Sequence, residues 1–507
     1  MNASLEERIA ERALSYVTDP PTGLDPVIDL ATPDQLRTIF AEAAGLGFSD
    51  HTPAHEDDQL VDAVDLVIKH SVHTSHPRFV NQNFAGPDSV SVVGDWLGAA
   101  LNTTGATFEA APVFTLMESA VLSKLGRIAG YVDDLGDGSL DADSDDLPPL
   151  PPGLFCPGGS SATLFALQLA RHRIRPDVRR TGATGERLTM FVSDAGHYAA
   201  TKSAALMGVG TDSVIKVASD ENGAIIPSAL DAAVTASVDA GDVPFAIIAT
   251  SGTTVTSAFD DLHALADIAE ANGLWLHVDG CYGGSALFSP THRHLLDGVE
   301  RSDSFVWNLH KMMGMTQQCT ALLVREPEQL APCFAGQADY LFQPDKLHAE
   351  YDSGDRTFQC ARRIDVLKLW LAWKHHGDDG FAARIDHAVD MADRVRARIR
   401  QSDGEFVEVA GTFTNVVFGW IPPQLRPLPL HPASIRSLPS DIRQQLHALA
   451  PKIKAQMQTE GTAMMGFQPI EGLNTFRVLF MNPTVTPADV DALLDRVAEY
   501  GLIASEH

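Results

Sequence analysis

The chain has few of the features that mark disulfide-rich, membrane-spanning or nucleic-acid-binding proteins. Its five cysteines form no Cys-x-x-Cys pair, a pattern that favours reduced thiols over a disulfide framework or a zinc site. The chain has only 37 lysines and arginines but 66 aspartates and glutamates. The resulting net charge of −29 disfavours binding to nucleic acids or to anionic membranes. No apolar run approaches membrane-spanning length, and the acidic, amphipathic opening segment does not look like a secretory signal. These features predict a cytoplasmic protein.

Continuous apolar runs alternate with helical stretches after about residue 90. The runs that end in small or polar residues are LTMFVSD (188–194), PFAIIATSG (244–252), LWLHVDG (274–280) and SFVWN (304–308). Such runs are typical of strands that are buried on both faces of a mostly parallel sheet. Between them, residues 261–272 have the spacing of a helix that stops at Gly273. The pattern predicts an α/β fold with a mostly parallel central sheet.

The remaining segments differ in character. Residues 1 to about 90 show apolar side chains at helix spacing. The acidic, proline-rich segment 133–153 and the proline-studded segment 422–440 predict irregular loops. Helices and one strand (TFRVLFM, 475–481) close the chain, which predicts a small C-terminal α+β domain. At 507 residues, the chain should form two or three coupled domains.

The predicted strand ends bring together residues that suit one cofactor. In open α/β sheets, ligands bind beyond the carboxyl ends of the strands. Those ends carry a glycine turn, an imidazole, hydroxyls, a carboxylate and a lysine: Gly158–Gly159–Ser160, His197, Thr253–Thr254, Asp279 and Asn308 to Lys311. This set matches the needs of pyridoxal phosphate (PLP), which requires a lysine tether, a carboxylate for its ring nitrogen and a binding site for its phosphate.

Each of these residues also has a simpler interpretation when it is taken alone. Lys311, in NLHK, could be a lysine that reaches from a strand end to solvent. Asp279 could be a metal ligand or a helix cap, although no His, Asp or Glu cluster at metal spacing surrounds it. His197, in SDAGHY, could be a core histidine rather than a ring stacked on a cofactor. Their occurrence in this order along the chain favours the cofactor site, with no metal.

Longer motifs make the chain resemble the group II PLP-dependent amino-acid decarboxylases, and most closely the glutamate and cysteine-sulfinate decarboxylases. The resemblance runs from HPRFVNQNFAG (76–86) to NTFRVLFMNP (474–483). It is most specific in the segments SGTTVTSAFDDLHALADIAEANGLWLHVDGCYGGSALFS (251–289), NLHKMMGMTQQCTALLVRE (308–326) and YDSGDRTFQCARRIDVLKLWLAWKHHG (351–377).

The resemblance implies an architecture and an activity. The fold would be PLP-dependent transferase fold type I, which is aspartate-aminotransferase-like. It would comprise an N-terminal helical segment (1–90), a large PLP-binding domain (91–368) and a small C-terminal domain (369–507). Two copies would form a homodimer with the active site at the subunit interface. The enzyme would release CO2 from a small amino acid and leave the amine.

The resemblance also implies roles for individual residues. Lys311 would hold the cofactor, Asp279 would pair with its ring nitrogen and His197 would stack on its ring. The residues expected around the phosphate and the ring edge are Gly159, Ser160, Thr254, Cys281, Asn308 and His310. Tyr340, in ADYLFQPDK (338–346), matches the tyrosine that returns a proton to the α-carbon from a loop of the neighbouring subunit.

The substrate site is the least specified part of the resemblance. Arg477 matches an arginine that binds a substrate carboxylate, although a structural arginine at a strand edge is the alternative. Gln82, Phe84 and Thr104 are the other expected substrate contacts, and the bulk of Phe84 favours cysteine sulfinate or aspartate over glutamate. Asn83 replaces the usual apolar residue, so another amino acid is an open alternative.

The chain departs from the family at two further positions. Asp279–Gly280–Cys281 stands in place of Asp-Ala-Ala, which predicts a thiol near the cofactor ring, as a packing residue rather than a catalyst. Leu309 replaces the usual proline. Three other functions stay open: a decarboxylase of aromatic, diaminobutyrate or aliphatic substrates, another PLP enzyme such as an aminotransferase, and an inactive PLP-binding partner protein.

Overall fold

The computed structural model describes residues 3–132, 150–183, 185–336 and 345–506. These residues form two compact units. One unit contains residues 90–387 and 411–413, and the other contains residues 3–89, 388–410 and 414–506. The three-domain division stays a prediction.

A seven-stranded sheet is the centre of the first unit. Its strands are β1 (Gly153–Cys156), β2 (Leu188–Ser193), β3 (Val214–Val217), β4 (Val243–Thr250), β5 (Trp275–Asp279), β6 (Ser304–Asn308) and β7 (Thr320–Val324). They lie in the order β1-β7-β6-β5-β4-β2-β3. Strands β2 to β6 pair in parallel, and β7 pairs antiparallel with both β6 and β1. The mostly parallel sheet predicted from the apolar runs is therefore confirmed.

Helices surround this sheet. Those of the first unit are α4 (Ser89–Leu101), α5 (Pro112–Ile128), α6 (Gly159–Ile174), α7 (Val178–Thr181), α8 (Ala199–Leu206), α9 (Pro227–Asp239), α10 (Leu262–Asn272) and α11 (Leu330–Phe334). Helix α10 confirms the predicted helix, because Asp261 caps its first turn and Gly273 ends it in a left-handed conformation. Helix α6 buries Phe165 and Leu169 in the core formed with the sheet. That packing fixes the start of α6 beside the strand ends.

The second unit contains the N-terminal helices and a smaller sheet. The helices are α1 (Leu5–Thr18), α2 (Pro33–Ala41) and α3 (Asp57–His70), followed late in the chain by α13 (Pro432–Arg436), α14 (Ser440–Thr459) and α15 (Pro487–Ser505). The strands β8 (Phe406–Ala410), β9 (Asn415–Trp420), β10 (Gly466–Ile470) and β11 (Leu473–Leu479) form an antiparallel sheet in the order β10-β11-β9-β8. Helix α12 (Val366–Arg400), interrupted at Gly377, contributes residues to both units.

One predicted loop is wrong in part. The segment 422–440 contains helix α13, which the prolines obscured in the sequence. Pro432 occupies the first turn, where no backbone donor is needed, and His431 and Ser434 form a reciprocal cap. Most of the predicted loop 133–153 lies outside the described residues. Within the described ranges, no helix combines the length and apolar character needed to cross a bilayer.

Candidate active site

The candidate site lies at the carboxyl ends of three neighbouring strands. Thr250, Asp279 and Asn308 are the last residues of β4, β5 and β6. Beyond them lies a cavity of about 180 Å³. Its lining residues are Gly159, Ser160, Thr163, His197, Ala199, Thr250, Gly252, Thr254, Asp279, Cys281, Tyr282, Asn308 and Lys311. The sheet therefore collects residues from five separate parts of the chain around one space.

Asp279 supplies a buried carboxylate to this cavity. Its side chain is 9% exposed, and its Oδ1 accepts the backbone N–H of Cys281 at 3.1 Å. Burial by itself would raise the pKa of Asp279, but the charge of Lys311, the nearby His197 and the Cys281 contact together hold the pKa below its usual value. The carboxylate is consequently ionised at neutral pH, as a partner of a protonated ring nitrogen must be.

Lys311 follows β6 through a tight turn. Its backbone N–H donates to the carbonyl of Asn308 at 3.1 Å. The Oδ1 of Asn308 accepts the Thr320 hydroxyl at 2.9 Å, so its Nδ2 is the group left to donate. The turn thus presents an amine and an amide donor to the same cavity.

The start of helix α6 forms the end of the cavity where an anion would fit. The N-cap residue is Gly158, which has φ 89° and no side chain that could cap the helix. No N-cap side chain therefore accepts a hydrogen bond from the backbone N–H groups of the first turn. Gly159 has no space for a larger side chain. A Cβ there would lie 2.4 Å from Cys281 Sγ and 2.9 Å from Asn308 Nδ2. A glycine is therefore required where the backbone approaches these two side chains.

His197 supplies a neutral ring. It lies between β2 and α8, and its Nδ1 accepts the backbone N–H of Ala199 at 3.3 Å. Burial is the main cause that lowers the pKa of His197, and the positive charges of Lys311 and Lys202 lower it further. An uncharged imidazole suits stacking on a flat, electron-poor ring.

These features fit PLP. The cavity combines an amine, an ionised carboxylate, a flat neutral ring and a helix start that a Cβ at Gly159 would obstruct. They match respectively the aldehyde, the ring nitrogen, the ring face and the phosphate of the cofactor.

Most of the predicted cofactor residues meet at this cavity. Eight of them line it: Gly159, Ser160, His197, Thr254, Asp279, Cys281, Asn308 and Lys311. His310 is not among the described residues that line the cavity. Its Nδ1 instead accepts the backbone N–H of Cys319 at 3.1 Å, and burial lowers its pKa to about 4. The roles of all nine residues stay predictions.

Sequence reasoning missed five lining residues. They are Thr163, Ala199, Thr250, Gly252 and Tyr282. Thr250 and Gly252 carried a usable signal, because they end the apolar run 244–252. The other three lie within or before helices, and no feature of the sequence marked them.

The predicted substrate residues are divided between the two units. Thr104 belongs to the unit with the cavity, and its hydroxyl bridges the Cys360 carbonyl and the Arg362 N–H. Gln82, Phe84 and Arg477 belong to the other unit. There Arg477, on β11, is 5% exposed and donates to the Asn81 carbonyl at 2.5 Å. Tyr340 lies outside the described residues, and its role stays a prediction.

Comparisons with known proteins agree with the chemistry of the cavity. Residues 45–421 match the family model described as the pyridoxal-dependent decarboxylase conserved domain. Cysteine sulfinic acid decarboxylase of Homo sapiens is 42% identical over 480 residues, which are 94% of this chain and 91% of the relative. The acidic amino acid decarboxylase GADL1 of Bos taurus is 41% identical over 475 residues, which are 93% of this chain and 85% of the relative.

A solved structure extends the similarity to the whole fold. The crystal structure of mouse CSAD covers 98% of each chain with a TM-score of 0.88 and 37% sequence identity. The family match spans more than half of the sequence, and the relatives exceed 40% identity over most of it. This chain therefore belongs to the family of pyridoxal-dependent decarboxylases, with pyridoxal phosphate as its cofactor.

Proposed function

We propose that the protein removes the α-carboxylate of an acidic amino acid, namely cysteine sulfinate, aspartate or glutamate, and releases CO2 and the amine. The observation that carries the proposal is the meeting of Lys311, Asp279 and His197 at one cavity beside the start of α6. The names of the relatives at 41–42% identity support an acidic substrate.

Bound PLP supplies an electron sink for the electron pair that stays on the α-carbon when CO2 leaves. We assign to Lys311 the amine that would hold the cofactor aldehyde. The ionised Asp279 would keep a proton on the ring nitrogen, since a buried carboxylate stabilises a positive charge beside it. His197 would stack on the ring. These three residues would bind and orient the cofactor.

The phosphate position follows from the donors of the cavity. The first turn of α6 offers backbone N–H groups, and Asn308 Nδ2 lies close to Gly159. An anion at a helix N-terminus is stabilised both by these donors and by the helix dipole. We therefore assign the phosphate to this end of the cavity, with Ser160 as a further donor.

The substrate and proton-transfer roles rest on the family resemblance. We assign to Arg477 the binding of a substrate carboxylate, because a guanidinium makes bidentate, charge-assisted hydrogen bonds. We assign to Tyr340 the return of a proton to the α-carbon as general acid. Gln82, Phe84 and Thr104 would select the substrate, and the bulk of Phe84 favours one shorter than glutamate.

We also propose a cytoplasmic homodimer whose subunits complete each other's sites. A one-sided row of exposed apolar side chains on α4 supports self-association: Val93, Trp96, Leu97 and Leu101 are 39–51% exposed. Surfaces of this kind mark protein–protein contacts. A solution mass of one chain at micromolar concentration would contradict the dimer.

The experiment that tests the function is amine formation by PLP-loaded protein offered the three acidic substrates together with aromatic, basic and aliphatic amino acids. We expect turnover of an acidic substrate, its loss in Lys311→Ala and its retention in the surface control Lys374→Ala. Turnover of a non-acidic substrate alone would retain the decarboxylase and refute the substrate class. Cofactor absorbance without any amine product would refute the proposed activity.

A further inference from the structure

A buried carboxylate closes the loop that leads from β4 to α10. Asp260 is 4% exposed, and its side chain accepts backbone N–H groups from two different segments. Its Oδ2 accepts the N–H of Thr250 at 2.7 Å, and its Oδ1 accepts the N–H of Ile225 at 2.7 Å. The backbone N–H of Asp260 also donates to the Thr250 carbonyl at 3.0 Å. One residue therefore ties the end of β4 to the segment that follows β3.

The loop that Asp260 closes forms one wall of the cofactor cavity. Thr250, Gly252 and Thr254 from this loop line the cavity. The backbone N–H of Gly252 donates to the Ala258 carbonyl at 2.9 Å, so the loop folds back on itself before it reaches Asp260. Asp260 is not among the described residues that line the cavity. It therefore acts on the cavity through the backbone that it holds.

The strength of these hydrogen bonds depends on the charge of Asp260. Burial, with a smaller contribution from the negative charge of Asp220, raises the pKa of Asp260 to about 7. The N–H groups of Ile225 and Thr250 oppose that rise, because they stabilise the ionised form. The next residue, Asp261, is exposed, and its carboxylate caps α10. An ionised Asp260 accepts both N–H groups strongly, whereas a proton on one oxygen places a donor against a backbone donor.

We propose that Asp260 is a positioning residue for the cofactor, whose carboxylate fixes the cavity wall that Thr250, Gly252 and Thr254 form. This inference rests on the assignment of the cavity to PLP in the proposed function, and it extends that assignment to a residue outside the cavity lining. An asparagine could not take over this role. It has one acceptor oxygen instead of two, and its amide N–H groups would face one of the two backbone donors.

Asp260→Asn tests the proposal, and Asp261→Ala is the matched control. Asp261 also accepts a backbone N–H, that of Ala264 at 3.0 Å, but at the start of α10 and away from the cavity lining. Both variants lose a hydrogen bond to the backbone, so both should melt at a lower temperature. At pH 8 and well below either melting temperature, we expect the dissociation constant of PLP to rise about 5- to 30-fold in Asp260→Asn and less than about 2-fold in Asp261→Ala.

The pH dependence separates this role from a general loss of stability. The ratio of the PLP dissociation constants of Asp260→Asn and the unmodified protein should be smaller at pH 6 than at pH 8, because a proton on Asp260 weakens the same hydrogen bonds in the unmodified protein. The titrations of PLP itself and of His197 occur in both proteins and cancel in this ratio.

Amide hydrogen exchange of the unmodified protein tests the same coupling without any substitution, should Asp260→Asn fail to fold. Because coupling between two sites is reciprocal, bound PLP should slow exchange in the segment around Ile225 more than in the segment around Ala264.

Three results would overturn the inference. They are equal losses of PLP affinity in both variants, a ratio that is the same at pH 6 and pH 8, and equal slowing of exchange in the two segments. All of these measurements follow PLP without substrate. A failure of the proposed substrate class would therefore appear only in the turnover assay and leave these results unchanged.

Discussion

The closest approach in the cofactor cavity gives a quantitative prediction for Gly159→Ala. The added Cβ would lie 2.4 Å from Cys281 Sγ, 2.9 Å from Asn308 Nδ2 and 3.1 Å from Asn308 Oδ1. Gly159 begins helix α6 without the positive φ that would favour glycine, so the effect of the substitution is steric alone. Overpacking of this kind costs about 1–3 kcal/mol. If the strain falls on the cofactor site, PLP affinity should decrease by about 5- to 150-fold.

The assay is the dissociation constant of PLP, measured by titrating cofactor-depleted protein and following absorbance. Gly47→Ala is the matched control, because a Cβ at Gly47 would meet nothing within 4 Å. Melting temperatures of both variants without PLP separate a local change from general destabilisation. Wild-type PLP affinity in Gly159→Ala would refute the requirement for a glycine at this position.

A second substitution sharpens this test. In Gly159→Ala, the further change Cys281→Ala removes the atom that makes the shortest contact, so PLP should bind more tightly to the double variant than to Gly159→Ala. Contacts between neighbouring residues produce such non-additive effects. Additive losses in the double variant would contradict the predicted contact between the two side chains.

Two further predictions concern the groups that support the site. Burial lowers the pKa of His277 to about 4 in the folded protein, from 6.5 in the unfolded chain, so the unfolded state binds more protons between these values. His277 therefore makes the protein lose stability as the pH falls from about 6.5 to about 4, by on the order of 2–3 kcal/mol. His277→Asn retains a polar group near Ser304 and should reduce the difference in unfolding free energy between pH 7 and pH 4.5, measured by denaturant titration. An unchanged difference would contradict this role of His277. Arg362 is 3% exposed, is paired with Glu118 and donates to the Gly105 carbonyl at 2.8 Å. Arg362→Met leaves the buried carboxylate without its charged partner and should cost about 3–5 kcal/mol of unfolding free energy. Adding Glu118→Gln should recover part of it, and a loss under about 1 kcal/mol in the single variant would refute the pairing.

The sequence predicted the strands that build the site, because their pattern is local. A strand buried on both faces is a continuous apolar run, and the residue that ends it is visible in the sequence. Asp279 and Asn308 were placed at strand ends in this way, and β5 and β6 end at these residues. Helix α10 was also predictable from the sequence, since its capping aspartate and its terminating glycine directly flank the helical segment in the chain. Helix α13 was missed because its prolines obscured a cap formed by His431 and Ser434.

The family and its cofactor also followed from residue types and their order. A lysine, a carboxylate, an imidazole and a glycine turn have few common uses, and the motifs around them are long. Substrate choice depends instead on the sizes and positions of a few side chains, such as Phe84. These positions belong to a different part of the chain from the cofactor residues, and no local pattern relates the two.

Only the tertiary structure decided which atoms meet inside the cavity. Cys281 and Gly159 are more than a hundred residues apart, and their close approach depends on how β5 and α6 pack on one sheet. The antiparallel pairing of β1 with β7 and the lining by Thr163 and Tyr282 are non-local in the same sense. Apolar periodicity specifies which face of an element is buried, whereas the neighbour of each buried face is selected by packing across the whole core. For this reason the sequence by itself determined the elements and the chemistry at their ends, and the fold determined the contacts that tune that chemistry.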